Sequence, residues 1–234
     1  MNPRYLLLTT LSLALSALAP AAEVYFDTVS TAKASRLHGS YISAYGGTSS
    51  ASNVATSNNL RGFRARNSDG FNAGVRFGYS FSTPLPVRPS LELDLGYLSN
   101  DIRLDRGPSN RYKGTMQSFN AFGNVLLSLD LEDHLDETAS DFWRKLKPYI
   151  GAGAGMAYAR IKHLDYRRDG RNISDEEGGQ ISFGYQVFAG LEYAFTDEFS
   201  VYGEYKHLSL YDLGGSDVGG ADFNQFLLGM KFQY

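Results

Sequence analysis

Alternation with a period of two runs through most of this chain. It is plainest where Phe71, Ala73, Val75, Phe77, Tyr79 and Phe81 alternate with Asn72, Gly74, Arg76, Gly78 and Ser80. It recurs in the last stretch, from Phe223 to Tyr234, where Phe226, Leu228, Met230, Phe232 and Tyr234 oppose Gln225, Gly229, Lys231 and Gln233. Successive side chains on a strand point to opposite faces, so each stretch offers one apolar face and one polar or small face.

Reading the chain in this way predicts eight strands. The first is weak, about Leu37 to Tyr45, with Tyr41 and Tyr45 on one face; the second is the stretch from Phe71 to Phe81. The third, about Pro89 to Leu98, sets Leu91, Leu93, Leu95 and Tyr97 against Glu92, Asp94 and Gly96. The fourth spans about Thr115 to Leu129, and the fifth, Pro148 to Ile161, puts Gly151, Gly153 and Gly155 opposite Ile150, Ala152, Ala154, Met156 and Tyr158. The sixth carries Phe183, Tyr185, Val187, Ala189, Leu191, Tyr193 and Phe195; the seventh follows the turn Thr196-Asp197-Glu198 and ends near Ser209; the eighth is terminal.

The connections alternate in length. Long polar ones are expected at 47–70, 99–113, 162–180 and 212–221, and short ones at 83–88 and 196–198. Long loops on one side and tight turns on the other are the pattern of outer-membrane barrels. The connection 130–147 departs from it, and Ser140-Asp141-Phe142-Trp143-Arg144 can begin a short helix resting its aromatic residues at the periplasmic interface. A sheet in lipid has no water to satisfy a free edge, so it must close, with the last strand meeting the first. The expected fold is all-β: an eight-stranded antiparallel up-and-down transmembrane β-barrel over residues 37–234.

The start of the chain changes the picture of where it works. Arg4, the apolar run Tyr5 to Leu18 and Ala19-Pro20-Ala21-Ala22 have the layout of a secretory signal peptide. Residues 1–21 are expected to be removed, with cleavage after Ala22 as the alternative, and residues 22–36 read as a periplasmic lead-in. Composition agrees with export to a membrane of strands rather than helices. Mean hydropathy is -0.28, and no later apolar run approaches the ~20 residues that a membrane helix needs. There are 16 Tyr, 15 Phe and 25 Gly, and no Cys, which removes disulfides and thiolate chemistry. The net charge of -3 gives no argument for nucleic acid.

PYIGAGAGMAYA at 148–159, GLEYAFTDEFSVYGEYKH at 190–207 and the terminal LLGMKFQY resemble the small eight-stranded outer-membrane β-barrels of the opacity-protein and surface-antigen type. The membrane domain of outer membrane protein A is a more distant relative. The resemblance implies the barrel fold and the cell outer membrane of a Gram-negative bacterium. For activity it implies a range: adhesins, structural proteins and narrow pores. It also implies that Phe232 and Tyr234 belong to a signal read by the barrel assembly machinery.

If the apolar face of each strand meets lipid, the lumen holds Arg76, Glu92, Asp94, Glu192, Glu204, Lys206 and Lys231. An eight-stranded barrel is only wide enough for side chains to fill it, and buried charge must be paired. These residues therefore read as a salt-bridge plug, with a charge gate in a narrow porin as the alternative. The glycines at 151, 153 and 155 read as space for long charged side chains from neighbouring strands.

Candidate chemistry is sparse. His38, His134, His163 and His207 show no metal-ligand spacing, and no cofactor motif is present. His207-Leu208-Ser209 puts an imidazole and a hydroxyl on one strand face. Lipid A deacylases are similar barrels with a His-x-Ser pair and a carboxylate, which here would be Asp212, Asp217 or Asp222; Leu210 stands where that family has asparagine.

Binding belongs to the loops. Arg61, Arg64 and Arg66 lie in the first, and Arg103, Arg106, Arg111 and Lys113 in the second, with Asp101 and Asp105. The third mixes Arg167, Arg168 and Arg171 with Asp175, Glu176 and Glu177. Arginine pairs strongly with phosphate, so outer-membrane lipid and lipopolysaccharide are the expected partners, and an anionic host surface ligand is the sharper reading. The expectation is a monomeric, non-enzymatic surface antigen or adhesin-like protein, with narrow porin and lipid A deacylase as alternatives.

Overall fold

A computed structural model describes residues 39–56, 64–66, 68–83, 86–105, 111–129, 141–168, 171–175, 179–212 and 218–234. The expected signal peptide, the lead-in, and Arg61 and Arg106 lie outside them. The described strands are β1 (Gly39–Thr56), β2 (Arg64–Arg66), β3 (Ser68–Ser80), β4 (Val87–Asp105), β5 (Arg111–Leu129), β6 (Leu146–Arg168), β7 (Arg171–Asp175), β8 (Gly179–Ala194), β9 (Phe199–Asp212) and β10 (Val218–Gln233). One short helix, α1 (Asp141–Arg144), precedes β6.

Every pairing is antiparallel, and eight strands close on themselves in the order β1-β3-β4-β5-β6-β8-β9-β10, with β10 returning to β1. Closure runs from Tyr41 opposite Gln233 to Thr56 opposite Val218. The two remaining strands extend the wall: β2 pairs with the end of β4, and β7 folds back on the end of β6. The fold is a closed up-and-down barrel, as the alternation requires.

The barrel is built inside out relative to a soluble protein. Leu228 is 75% exposed, while Arg76 and Lys206 are among the largest fully buried side chains. In water such a continuous apolar exterior would be an association hazard; against hydrocarbon it is the required surface. Aromatic rings mark its edges. Tyr79 meets Phe81, and Tyr193 lies between Phe142 and Phe195, at the end carrying the short turns; Tyr97 lies between Phe71 and Phe119 at the other. Helix α1 thus seats Phe142 and Trp143 at the rim carrying the short turns, with the two rings 5.5 Å apart. The 195–198 turn has a local cause: Thr196 Oγ1 accepts hydrogen bonds from the backbone N–H groups of Glu198 and Phe199.

Two expectations change, and one is completed. Much of what reads as loop is strand: β1 continues to Thr56, β4 to Asp105 and β5 starts at Arg111, β6 and β7 occupy 146–168 and 171–175, and β10 begins at Val218. Above the bilayer neither face meets lipid, so the period-two apolar signal fades, yet neighbouring strands still supply ladder partners and the sheet goes on. Tyr41 and Tyr45 face the lumen, and the lipid side of β1 is Ile42, Ala44 and Gly46. A tyrosine ring enters a polar lumen readily when its hydroxyl finds an acceptor, and both do. Finally, the glycines of β6 make room for other groups than long charged chains. A Cβ at Gly151 would run into the Phe188 ring, and at Gly155 it would collide with the backbone of Ala121 and Phe122.

Candidate functional site

The middle of the lumen is a single charged cluster. Arg76 donates from both terminal nitrogens to Glu204, Nη1 to Oε2 at 2.9 Å and Nη2 to Oε1 at 2.7 Å. Its Nε lies 3.6 Å from Asp94 and 3.7 Å from Glu92, within ion-pair range and without a hydrogen bond. Lys206 donates to Asp94 Oδ2 at 2.7 Å. Tyrosine hydroxyls add to the carboxylates: Tyr41 donates to Glu92 Oε2, Tyr45 to Asp94 Oδ1 and Tyr149 to Glu204 Oε2, the oxygen that Arg76 Nη1 also uses. Asn124 donates to Glu92, and Gln186 donates to Asn124. The Arg76 guanidinium also stands 4.6 Å from the Tyr45 ring centre, close enough for a cation–π contact.

Lys231 and Glu192 form a separate pair at 2.7 Å nearer the end carrying the short turns, with Ser200 donating to the same carboxylate. The seven lumen charges named from sequence thus fall into two groups, five at mid-lumen and two below. Sequence reasoning missed Lys147, which register places opposite Glu192, and the buried Arg88. Both occupy inward parity on their strands, where the signal was available; they lie just beyond or at the strand ends read from apolar alternation.

Above the charges an apolar cluster joins buried polar side chains, among them Asn72, Asn100 and Gln225. Leu98, Phe122, Leu208, Leu210 and Phe223 pack together as a core toward the end away from the short turns. The space between Tyr41, Arg76, Glu92 and Lys231 amounts to about 30 Å³, and that between Tyr45, Asp94, Phe122 and Lys206 to about 10 Å³. Spaces of this size admit isolated waters.

On the outer face, His207 and Ser209 share a side of β9, but they do not contact one another through a hydrogen bond given by the geometry. Ser209 donates to Asp222 at 2.7 Å, while His207 Nδ1 lies 2.9 Å from Asn224 Oδ1. Asn224 Oδ1 also accepts from Tyr205. The serine is therefore tied to a carboxylate and the imidazole to an amide, in two parallel cross-strand pairs. A nucleophile activated by an adjacent imidazole needs the serine and histidine within reach of each other.

The basic loop residues that lie on described backbone are gathered by register into transverse rows. Arg66 pairs with Arg103, Arg103 with Lys113, and Lys113 with Asp165. The next row outward is Arg64, Asp105, Arg111 and Arg167. Arg168 and Arg171 pair across the hairpin between β6 and β7. At the opposite end, Phe232 lies on the lipid side, and Tyr234 donates its backbone N–H to Ser40 O at 3.0 Å.

Residues 7–233 match the outer membrane protein beta-barrel domain. The chain belongs to that family. As a family member it is an outer-membrane protein, and its apolar belt is the surface that meets the bilayer. It is 27% identical over 147 residues to the outer membrane protein PagN of Salmonella typhimurium, across 59% of this chain and 57% of that protein. The chain thus aligns with little more than half the length of this curated relative. Neisserial surface protein A matches 87% of the chain and 100% of its own at 17% identity, with a TM-score of 0.49. OprG from Pseudomonas aeruginosa matches 84% and 96% at 14% identity, with a TM-score of 0.48.

Proposed function

We propose that this family member is a non-enzymatic surface protein of adhesin type, whose working part is the sheet that rises out of the membrane between its extracellular loops. The observation that carries the reading is strand length. A transmembrane strand needs about 9–11 residues, whereas β4 and β5 each have 19 and β6 has 23. The excess lies at the end away from the short turns and carries the row Arg64, Asp105, Arg111 and Arg167.

A closely packed, charge-paired lumen supports a plug over a pore, and the Ser209–Asp222 and His207–Asn224 pairing supports binding over acyl hydrolysis. The test displays the protein on cells over immobilised heparin, a sulfated glycan. Wild type should attach, more weakly as salt rises, because exposed charges are screened over ~8–10 Å at physiological ionic strength. Arg64→Ser with Arg111→Ser should reduce attachment at least tenfold. Equal attachment by both would end the adhesin reading. In the same strains the lipid A mass spectrum should be identical with wild type and Ser209→Ala; an acyl chain missing only with wild type would make the protein a deacylase.

A further inference from the structure

We propose that the outer leaflet is thinned over one sector of this barrel, the seam formed by β9, β10 and β1, where a polar notch cuts into the apolar belt and lets water descend beside the wall. The argument starts from register. A path that crosses from strand to strand at directly opposite residues, starting at Tyr41, passes Glu92, Gly153 and Leu208 and returns to β1 at Ala51, ten residues further along. A stagger of that size on eight strands tilts them by about 43°, so each residue climbs ~2.4 Å along the barrel axis and each step to the next strand on this path ~3 Å.

These two rises give the level of every outward side chain. At the end with the short turns, Val87, Leu129, Leu146 and Phe199 stand on one level to within about 3 Å. At the other end the belt is uneven. On β3, β4, β5, β6 and β8 it reaches Phe71, Tyr97, Phe119, Tyr158 and Ile181, ~22–31 Å above the lower edge, close to or above the ~25 Å band usual for such barrels. On β9, β10 and β1 it stops at Tyr205, Phe226 and Gly46, only ~15–18 Å up. The next outward residues there are His207, Asn224 and Thr48. They stand at ~20–23 Å, the level at which the facing strands still carry Ala121 and Met156.

Aromatic rings mark where an apolar band meets water, and here the marker steps down with the belt. The outermost ring pair between β4 and β5 is Tyr97 with Phe119, 5.0 Å apart, and that between β9 and β10 is Tyr205 with Phe226, 5.2 Å apart. The second pair lies ~7 Å lower. Its tyrosine hydroxyl donates to Asn224 Oδ1, which lies 2.9 Å from His207 Nδ1, and Ser209 donates to Asp222 just above. An imidazole and an amide turned toward hydrocarbon are costly, and water reaching them removes that cost.

Tilting the barrel does not cure the mismatch. A tilt that lifts His207 to the surface draws the exposed turn at Asp197 and Glu198 into the hydrocarbon. A belt that is level at its base and short on one side is matched by a bilayer that is thinner on that side. The strands that close the barrel therefore have the least hydrocarbon to cross. This property is separate from adhesion, which is a matter of the sheet above the membrane.

The chain has no cysteine, so a single introduced thiol reports one position. Thr48→Cys, Ala44→Cys, Ala121→Cys and Met156→Cys are made in the full chain, checked for heat-modifiable migration, and labelled on intact cells with a membrane-impermeant maleimide. Thr48→Cys should react at least tenfold faster than Ala121→Cys, which shares its level, and than Met156→Cys, which stands ~2 Å higher. Ala44→Cys, lower on the same strand as Thr48, should be as slow as those two. Extending the belt with His207→Leu and Asn224→Leu should slow the labelling of Thr48→Cys at least fivefold. Labelling of Thr48→Cys as slow as that of Ala121→Cys would overturn the proposal. So would equally fast labelling of Met156→Cys, which would put the whole boundary lower, or a Thr48→Cys rate indifferent to the two leucines.

Discussion

Removing Arg76 should cost this barrel more than any other single lumen charge. The guanidinium faces three carboxylates, those of Glu204, Glu92 and Asp94, and makes both of its hydrogen bonds to the first. At 2.7 Å and an effective dielectric constant of about 20, the gross attraction to Glu204 is about 6 kcal/mol. Desolvation of both ions offsets part of this, and breaking a buried pair from one side costs ~3–5 kcal/mol. In Arg76→Ala, Glu204 keeps only the Tyr149 hydroxyl among the partners described, Glu92 loses its nearby cation, and Lys206 is left paired with Asp94 alone. With a urea slope of ~1–3 kcal/mol/M, the unfolding midpoint should fall by about 2 M. The assay is urea unfolding in detergent micelles, followed by heat-modifiable migration and tryptophan fluorescence from Trp143. The double variant Arg76→Met, Glu204→Met should recover much of the loss, because replacing both members of a buried pair by apolar residues is often neutral. A wild-type midpoint for Arg76→Ala, or a double variant that loses the sum of the singles, would refute the pairing argument.

Gly151→Val drives a side chain into the Phe188 ring and should cost ~1–3 kcal/mol by overpacking, whereas Gly123→Ala, with nothing within 4 Å of the added carbon, should leave the urea midpoint in place. Lys231→Ala removes a pair whose side chains are 17% and 13% exposed, so its midpoint should fall clearly less than that of Arg76→Ala. A protease site inserted at 106–110 should be cut on intact cells, and one inserted at 83–86 only after the outer membrane is opened; the reverse would invert the topology. Serine at both Phe232 and Tyr234 should lower the amount of heat-modifiable barrel in membranes if these rings are read during assembly, and an unchanged yield would remove them from that role.

The membrane-spanning part of this fold was legible because one face of each strand must be apolar: Leu91, Leu93 and Leu95 cannot be misread. Above the lipid that constraint lapses, and so the extensions of β4, β5 and β6 looked like loops. The parity of Arg76, Glu92, Asp94, Glu204 and Lys206 could be read from their apolar neighbours. Which of them pair could not, since Arg76 and Glu204 are 128 positions apart and meet only because shear brings β3 and β9 to one level across the lumen. That Tyr41 and Tyr45 share a face was legible; that the face is the lumen was not, because a tyrosine suits either a lipid interface or a carboxylate and periodicity does not distinguish the two. The basic rows were hidden for a related reason: Arg66, Arg103 and Lys113 are scattered in sequence and become neighbours only through register.

Closure of the sheet by β1 and β10 also has a kinetic side. Tyr41 and Gln233 are joined at the seam, so the ladder that finishes the barrel unites nearly the farthest described parts of the chain, and contacts of that span form slowly. Until it forms, an open sheet would turn Arg76 and Lys206 toward hydrocarbon, where a cation at the midplane costs ~2–4 kcal/mol. Half-built barrels are therefore unwelcome in the bilayer. Insertion and closure must proceed together, and the same charges that lock the finished lumen act beforehand as a barrier against entering the membrane incomplete.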